Sequence, residues 1–157
     1  KRMRAATAPI RVPEFAEMTV EKLKACVSAL LADEQVSGKV AALGFCFGGT
    51  YSYALATADN RLSAAVPFYG HAPDPIDTVK TISCPILAFY GEDDTALIES
   101  LPDLKDKMSE YGHDFEAIVY SNTGHAFFNN TNPATYDESA AKDSWIKALH
   151  FLEKHLG

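Results

Sequence analysis

The sequence is short of basic residues: 14 Lys and Arg stand against 21 Asp and Glu, a formal net charge of −7. That balance excludes nucleic acid as an expected partner, since such binding depends on neutralising phosphates with Lys and Arg. Long hydrophobic runs are missing as well. No stretch approaches the ~18 apolar residues that span a bilayer, so no membrane association is expected. The opening Lys1-Arg2-Met3-Arg4 leads into no apolar segment of the signal-peptide kind. Cysteine is scarce, and Cys26, Cys46 and Cys84 are an odd, widely spaced set. They fit neither a disulfide framework nor a zinc site. A chain that uses a free thiol belongs in a reducing compartment, which makes a cytoplasmic location the expectation. Internal repeats and low-complexity tracts are absent. What is present is 157 residues with 47% hydrophobic side chains, enough for one domain with a real core and not comfortably for two.

Along the chain, residues 1–18 contain Pro9 and Pro13 and show no sustained periodicity, so they read as an irregular segment. Residues 19–157 read as a single domain. A helix is expected from Thr19, a plausible N-cap, with Glu21 at the positive end of the dipole. Its apolar stripe is Val20, Leu23, Val27, Leu30 and Leu31. Ser37-Gly38 ends that unit, and residues 40–43 form a short apolar strand of the kind buried on both faces. A helix carrying Tyr51, Tyr53, Ala54, Leu55 and Ala58 follows. Further strands are expected at 64–69, 85–90 and 115–120, with helices over about 101–111 and 136–155, and 73–75 as loop. Apolar strands alternating with helices imply parallel βα units, with right-handed crossovers and helices on both faces of a mostly parallel sheet: the class is α/β.

Three segments carry chemistry. Residues 44–49 read Gly-Phe-Cys-Phe-Gly-Gly, directly after an apolar strand. This is the G-x-nucleophile-x-G elbow of an α/β-hydrolase, with cysteine where serine usually stands. The strand must turn sharply into a helix, and the small residues leave room for the turn. Cys46 at that helix N-terminus is the candidate nucleophile, with the Phe47 N–H aimed at a developing oxyanion. An acid follows a later strand in Gly91-Glu92-Asp93-Asp94, and spacing from the strand favours Asp94 over Asp93. A histidine follows the next strand in Gly124-His125-Ala126. His125 would serve as base toward the thiol and acid toward the leaving group, with the aspartate orienting its ring. Nucleophile, acid, histidine is the chain order of that fold. His71 follows the second strand and could line the pocket. Cys26 and Cys84 are expected to be structural, and Trp145 is expected to pack the last helix on the sheet.

Together, Gly44-Phe-Cys-Phe-Gly-Gly49, Phe68-Tyr69-Gly70, Tyr90-Gly-Glu-Asp-Asp94 and Gly124-His-Ala-Phe-Phe-Asn129 resemble the dienelactone hydrolase family. The helix over 140–155 looks like that family's ending. The resemblance implies Cys46 as nucleophile, Asp94 as acid and His125 as base. It implies hydrolysis of a carboxylic ester or lactone through a thioester acyl-enzyme, with no metal or organic cofactor. The family reaction opens a dienelactone, a carboxymethylenebutenolide, to maleylacetate. Dienelactone-cleaving members place an arginine shortly after the histidine to hold the substrate carboxylate. Here that stretch reads Phe127-Phe128-Asn129-Asn130. The apolar Phe47, Phe127 and Phe128 therefore suit a less charged ester, lactone or thioester, with Phe127 and Phe128 expected at the substrate.

The resemblance also implies the C-terminal portion of the fold, because only 38 residues precede Lys39. The strand over Val40–Leu43 would then lie at the sheet edge, which soluble proteins normally cover. The family's N-terminal half, a second copy of the chain, or residues 1–18 folding back would serve. That half is also expected to donate the second oxyanion N–H, whose loss typically costs ~100- to 1,000-fold in rate. The competing reading is accordingly a hydrolase-like fragment without catalytic competence that acts as a partner-binding module.

Overall fold

The computed structural model describes residues 12–157. Helix α1 spans Pro13–Leu31 and packs on α2, Phe47–Ala58. Four strands, β1 (Ala41–Phe45), β2 (Ala64–Phe68), β3 (Ile86–Gly91) and β4 (Phe115–Tyr120), form one parallel sheet in the order β1-β2-β3-β4. A 3₁₀ turn, Ile76–Thr81, joins β2 to β3, and α3, Thr95–Glu110, joins β3 to β4. The last helix, α4, spans Glu138–Leu156 and packs on β2 and β3. A sheet that grows in one direction through right-handed crossovers carries its connections on one face. Helix α4 then closes the other.

Burial explains which sequences became which strands. β2 and β3 are buried at every position, as central strands covered on both faces must be, and both are apolar throughout. β4 alternates exposed and half-buried residues, and β1 is only partly covered. Among the described residues both stand at ends of the sheet. Between the layers the aromatic rings of Phe45, Phe68 and Phe89 step across the sheet with centroids 4.5 and 4.6 Å apart.

Three boundaries differ from the sequence reading, each for a local reason. Helix α1 begins at Pro13 rather than Thr19, because proline at the first helical position has its φ preset and no N–H to leave unpaired. Thr19 is not a cap: it lies mid-helix and its hydroxyl donates to the Phe15 carbonyl at 2.7 Å. Residues 13–18 are thus helical, while the expectation for 1–11 lies outside the described residues. Helix α3 begins at Thr95 rather than near 101 and runs through Pro102. Helix α4 starts behind Asp137, whose carboxylate accepts from the Ala140 N–H at 2.8 Å.

Candidate active site

The strand register brings the ends of β1 and β2 level, pairing Phe45 with Phe68. One residue beyond lie Cys46 and Tyr69, side by side at the carboxyl end of the sheet, where open α/β folds gather their ligands. Both have left-handed backbones, with φ of 52° and 38°. Cys46 is the N-cap of α2; its N–H donates to the Phe68 carbonyl at 3.0 Å and its carbonyl accepts from the Thr50 N–H at 3.1 Å. The turn has no room for a side chain at Gly44, where a Cβ would meet the Gly48 carbonyl oxygen at 2.1 Å. Strain of this kind points a side chain out of the sheet into solvent, and Cys46 is exposed.

Asp94 is likewise a helix N-cap, at the start of α3. Aspartate there ordinarily binds the helix's own N–H groups, yet its side chain makes no such bond. Its Oδ2 instead lies 2.5 Å from His125 Nδ1. On the other side of the ring, Nε2 lies 3.1 Å from Cys46 Sγ. Asp93 is exposed and uses only its backbone here, donating to the Thr123 carbonyl. Cys46, Asp94 and His125, drawn from three loops, therefore form one continuous relay of contacts.

The loop that carries His125 is held at several points. Asn122 and Ala126 both have left-handed backbones. Asn129 N–H donates to the Ala126 carbonyl and Asp137 N–H to the Phe127 carbonyl, each at 2.9 Å. The loop also rests directly on β3 at Gly91, where a Cβ would stand 2.2 Å from the Thr123 carbonyl oxygen.

Beside the relay lies a cavity of about 570 Å³ whose walls include Cys46, Tyr69, Phe128, Tyr136, Lys142 and Trp145. Of the side chains expected at the substrate, Phe128 lines it. Phe127 does not: it is fully buried against Phe68, Tyr69 and Tyr120. His71 also lies elsewhere. It borders a separate cavity with Thr50, Ala72 and Asp74, its N–H donating to the Thr50 hydroxyl at 3.0 Å. Trp145, expected to pack on the sheet, instead stands at the cavity with its ring 5.8 Å from that of Phe128. Lys142, a cation on the last helix, also lines the cavity, in an ion pair with Glu138 at 2.5 Å. The Phe47 side chain is exposed and leans on Tyr51, leaving the Phe47 backbone N–H at the first turn of α2.

Two tyrosines and two cysteines complete the electrostatics. Burial, and secondarily the nearby Cys46, push the Tyr69 phenol up to about 12, so it stays a neutral donor. Cys84 is buried and its thiol is pushed up to about 11, which makes it an inert hydrophobe. Cys26 is exposed on α1, bordering a groove with Leu43 and Leu55 away from His125. Tyr120 donates to Asp143 at 2.7 Å, tying β4 to α4. Among the described residues, no group of three or more His, Cys, Asp or Glu side chains is gathered to hold a metal, and no helix is long and apolar enough to cross a membrane.

A parallel sheet with a cysteine on its strand-to-helix elbow, an aspartate and a histidine on the following strand ends, and helices over both faces defines the α/β-hydrolase class. Within it the chain belongs to the dienelactone hydrolase family, whose model matches residues 2–156. A Saccharolobus solfataricus protein provisionally named a carboxymethylenebutenolidase is 35% identical over 130 residues, covering 80% of this chain and 50% of that protein. The carboxymethylenebutenolidase of Rhodococcus opacus is 29% identical over 149 residues, covering 88% and 58%. Among solved structures, a dienelactone hydrolase-like promiscuous phosphotriesterase from metagenomic libraries superposes with a TM-score of 0.79 at 28% identity, over 88% of this chain and 62% of that one. The chain thus spans about half the length of the curated relatives it matches.

Proposed function

We propose that the chain hydrolyses a carboxylic ester or lactone through Cys46, His125 and Asp94. The observation that carries this reading is the unbroken relay Asp94 Oδ2–His125 Nδ1–His125 Nε2–Cys46 Sγ, at 2.5 and 3.1 Å. His125 takes the thiol proton, and Sγ attacks the acyl carbon as the Phe47 N–H meets the oxyanion. When the tetrahedral adduct collapses, the carbon–oxygen bond breaks and the leaving alkoxide receives the proton from His125. A thioester on Cys46 remains. Water, deprotonated by His125, attacks that thioester; the acid leaves and the thiolate recovers its proton. One ester and one water give one acid and one alcohol, with no redox change and no metal. In a lactone the leaving alcohol stays attached to the acid. The name of the relatives, carboxymethylenebutenolidase, supports a lactone as one substrate. The aromatic walls of the cavity support less polar acyl groups as others.

The seat of the His125 loop gives an independent test. Gly91→Ala is expected to push the Thr123–Gly124 backbone off β3 and His125 away from Sγ, since the closest contact is with backbone that cannot rotate aside. A shift of about 1 Å in a catalytic group costs about 100-fold. Hydrolysis of 4-nitrophenyl acetate should fall by about that factor, with a lowered melting temperature in the same preparation. Parent-level turnover would show that the loop is not what positions the base.

The second reading, a partner-binding module, is favoured by β1, which ends the sheet with its outer side unpaired among the described residues. Light scattering on the size-exclusion peak separates the two. A two-chain mass that breaks up when a charge is placed at Ala42 supports pairing through that edge. A monomer with Cys46-dependent turnover leaves the enzyme reading alone.

A further inference from the structure

Three tyrosines are almost fully buried, Tyr53, Tyr69 and Tyr90, and two of them pair their hydroxyls with each other. Tyr53 and Tyr90 share a hydrogen bond of 2.6 Å, and Tyr120 donates to Asp143. Tyr69 is the exception. Its residue is 97% buried, at 3% exposure, yet its hydroxyl makes no hydrogen bond among the described residues. Nor is that oxygen one of the sealed unpaired polar atoms of the interior, which are His113 Nε2, Thr135 Oγ1 and His155 Nε2. It therefore opens on the cavity that Tyr69 lines together with Cys46. Tyrosine hydroxyls sealed in an interior find their partner within the fold, whereas one that opens on a cavity is available to a ligand's acceptor.

The surroundings fix this side chain in place. Its N–H donates to the Phe89 carbonyl at 2.7 Å, and its backbone is held at a φ of 38°. The ring meets the His125 imidazole edge-on at 5.0 Å and Phe127 edge-on at 5.3 Å. A strained backbone and a pinned ring that end in an unpaired donor indicate that the partner arrives with the ligand.

We infer that the Tyr69 hydroxyl is a substrate-recognition donor, selecting acyl groups with a hydrogen-bond-accepting oxygen within a few bonds of the scissile carbonyl. This rests on the hydrolase reading above and names the substrate class for that site. Tyr69 lies one strand over from the nucleophile in register, with Phe45 opposite Phe68. An acyl group held as a thioester on Cys46 would therefore extend past the phenol. The rest of the wall is mainly aromatic, with Asn129, Asn130, Tyr136 and Lys142 as its other polar side chains. Lys142 is paired with Glu138, and the Asn129 side-chain oxygen accepts from Thr131. An alkoxy, keto or ring oxygen on the acyl chain would satisfy the phenol; a plain alkyl chain would leave it buried and unpaired. Sites of this type discriminate through the penalty on the unpaired partner.

The test compares two esters of equal length and shape, 4-nitrophenyl methoxyacetate and 4-nitrophenyl butyrate, each corrected for its rate with hydroxide. The parent chain should prefer the methoxyacetyl ester, and Tyr69→Phe, which keeps the ring against His125, should cut that preference by about 10-fold or more through kcat/KM. The butyryl ester should be little affected. An equal loss on both esters, or an unchanged preference, would overturn the recognition role. Mass spectrometry of the Cys46 acyl adduct separates the two proposals. Cys46-dependent acylation with no effect of Tyr69→Phe on ester choice sinks this inference and leaves the hydrolase reading standing. No acylation of Cys46 by either ester sinks both.

Discussion

Replacing Cys46 by alanine is expected to lower ester hydrolysis by at least about 10⁴-fold while leaving the fold intact, in line with removal of a nucleophile from a coupled catalytic group. The size of the effect follows from the absence of a substitute. Tyr69 is held protonated by burial, and Lys142 is engaged with Glu138. Cys84 is buried, and Cys26 sits on α1 at a different groove. Water activated by His125 is the remaining nucleophile, and it would act without the covalent step. The side chain at position 46 is exposed and packs on little, so its removal should leave the melting temperature almost unchanged. Cys46→Ser should keep the shape of the elbow with a weaker nucleophile, and so fall between parent and alanine variant. Turnover of 4-nitrophenyl acetate beside thermal melts of all three proteins checks the prediction. Equal turnover in parent and alanine variant would end the covalent mechanism.

Asp94→Asn is expected to produce a loss of about 10³- to 10⁴-fold, against little change for Asp93→Asn. The carboxylate lies 2.5 Å from Nδ1, where in the proposed mechanism it would hold the proton on that nitrogen and leave Nε2 to accept from Sγ, 3.1 Å away. An amide at the same place can donate to Nδ1, which favours the opposite tautomer and blocks Nε2. Asparagine is as good an N-cap as aspartate, so α3 should remain folded. Asp93 differs by one position and reaches no catalytic atom, only the Thr123 carbonyl through its N–H. Measuring kcat and KM for the two variants against pH distinguishes them. The Asp94 variant should lose kcat far more than the Asp93 variant across the pH range. Similar losses in both variants would mean that the turn as a whole, and not one carboxylate, supports the ring.

Much of this was readable from residue order. The elbow announces itself in Gly44-Phe-Cys-Phe-Gly because the turn tolerates only small neighbours, and a backbone constraint leaves a pattern in sequence. Strands β2 and β3 are legible because burial on both faces demands continuous apolar runs. The boundaries of α1 and α3 were not. Pro13 and Pro102 suggest irregular chain by themselves, and whether proline starts, ends or sits within a helix depends on the turn it joins. Phe127 and Phe128 are neighbours of the same type, and nothing in their order says which one faces the cavity. Packing decides it, Phe127 against Tyr69 and Tyr120 and Phe128 against Trp145 at the cavity, and those partners are distant in the chain. Tyr69 carries no signal of a role either, since a tyrosine ending an apolar strand reads as core.

By itself, then, the sequence determined the class of fold and singled out Cys46 and His125 as candidates, because each depends on local spacing and on backbone sterics. Spacing from the strand favoured Asp94 over the adjacent Asp93 as the candidate acid. The tertiary structure set the Asp94 carboxylate against His125, sent Phe127 inward and His71 to another cavity, and gathered Tyr69, Lys142 and Trp145 around one cavity with Cys46. Those outcomes depend on strand register and on which face α4 covers. Register and helix docking are set by contacts between residues distant in the chain, and such contacts leave no local pattern to read.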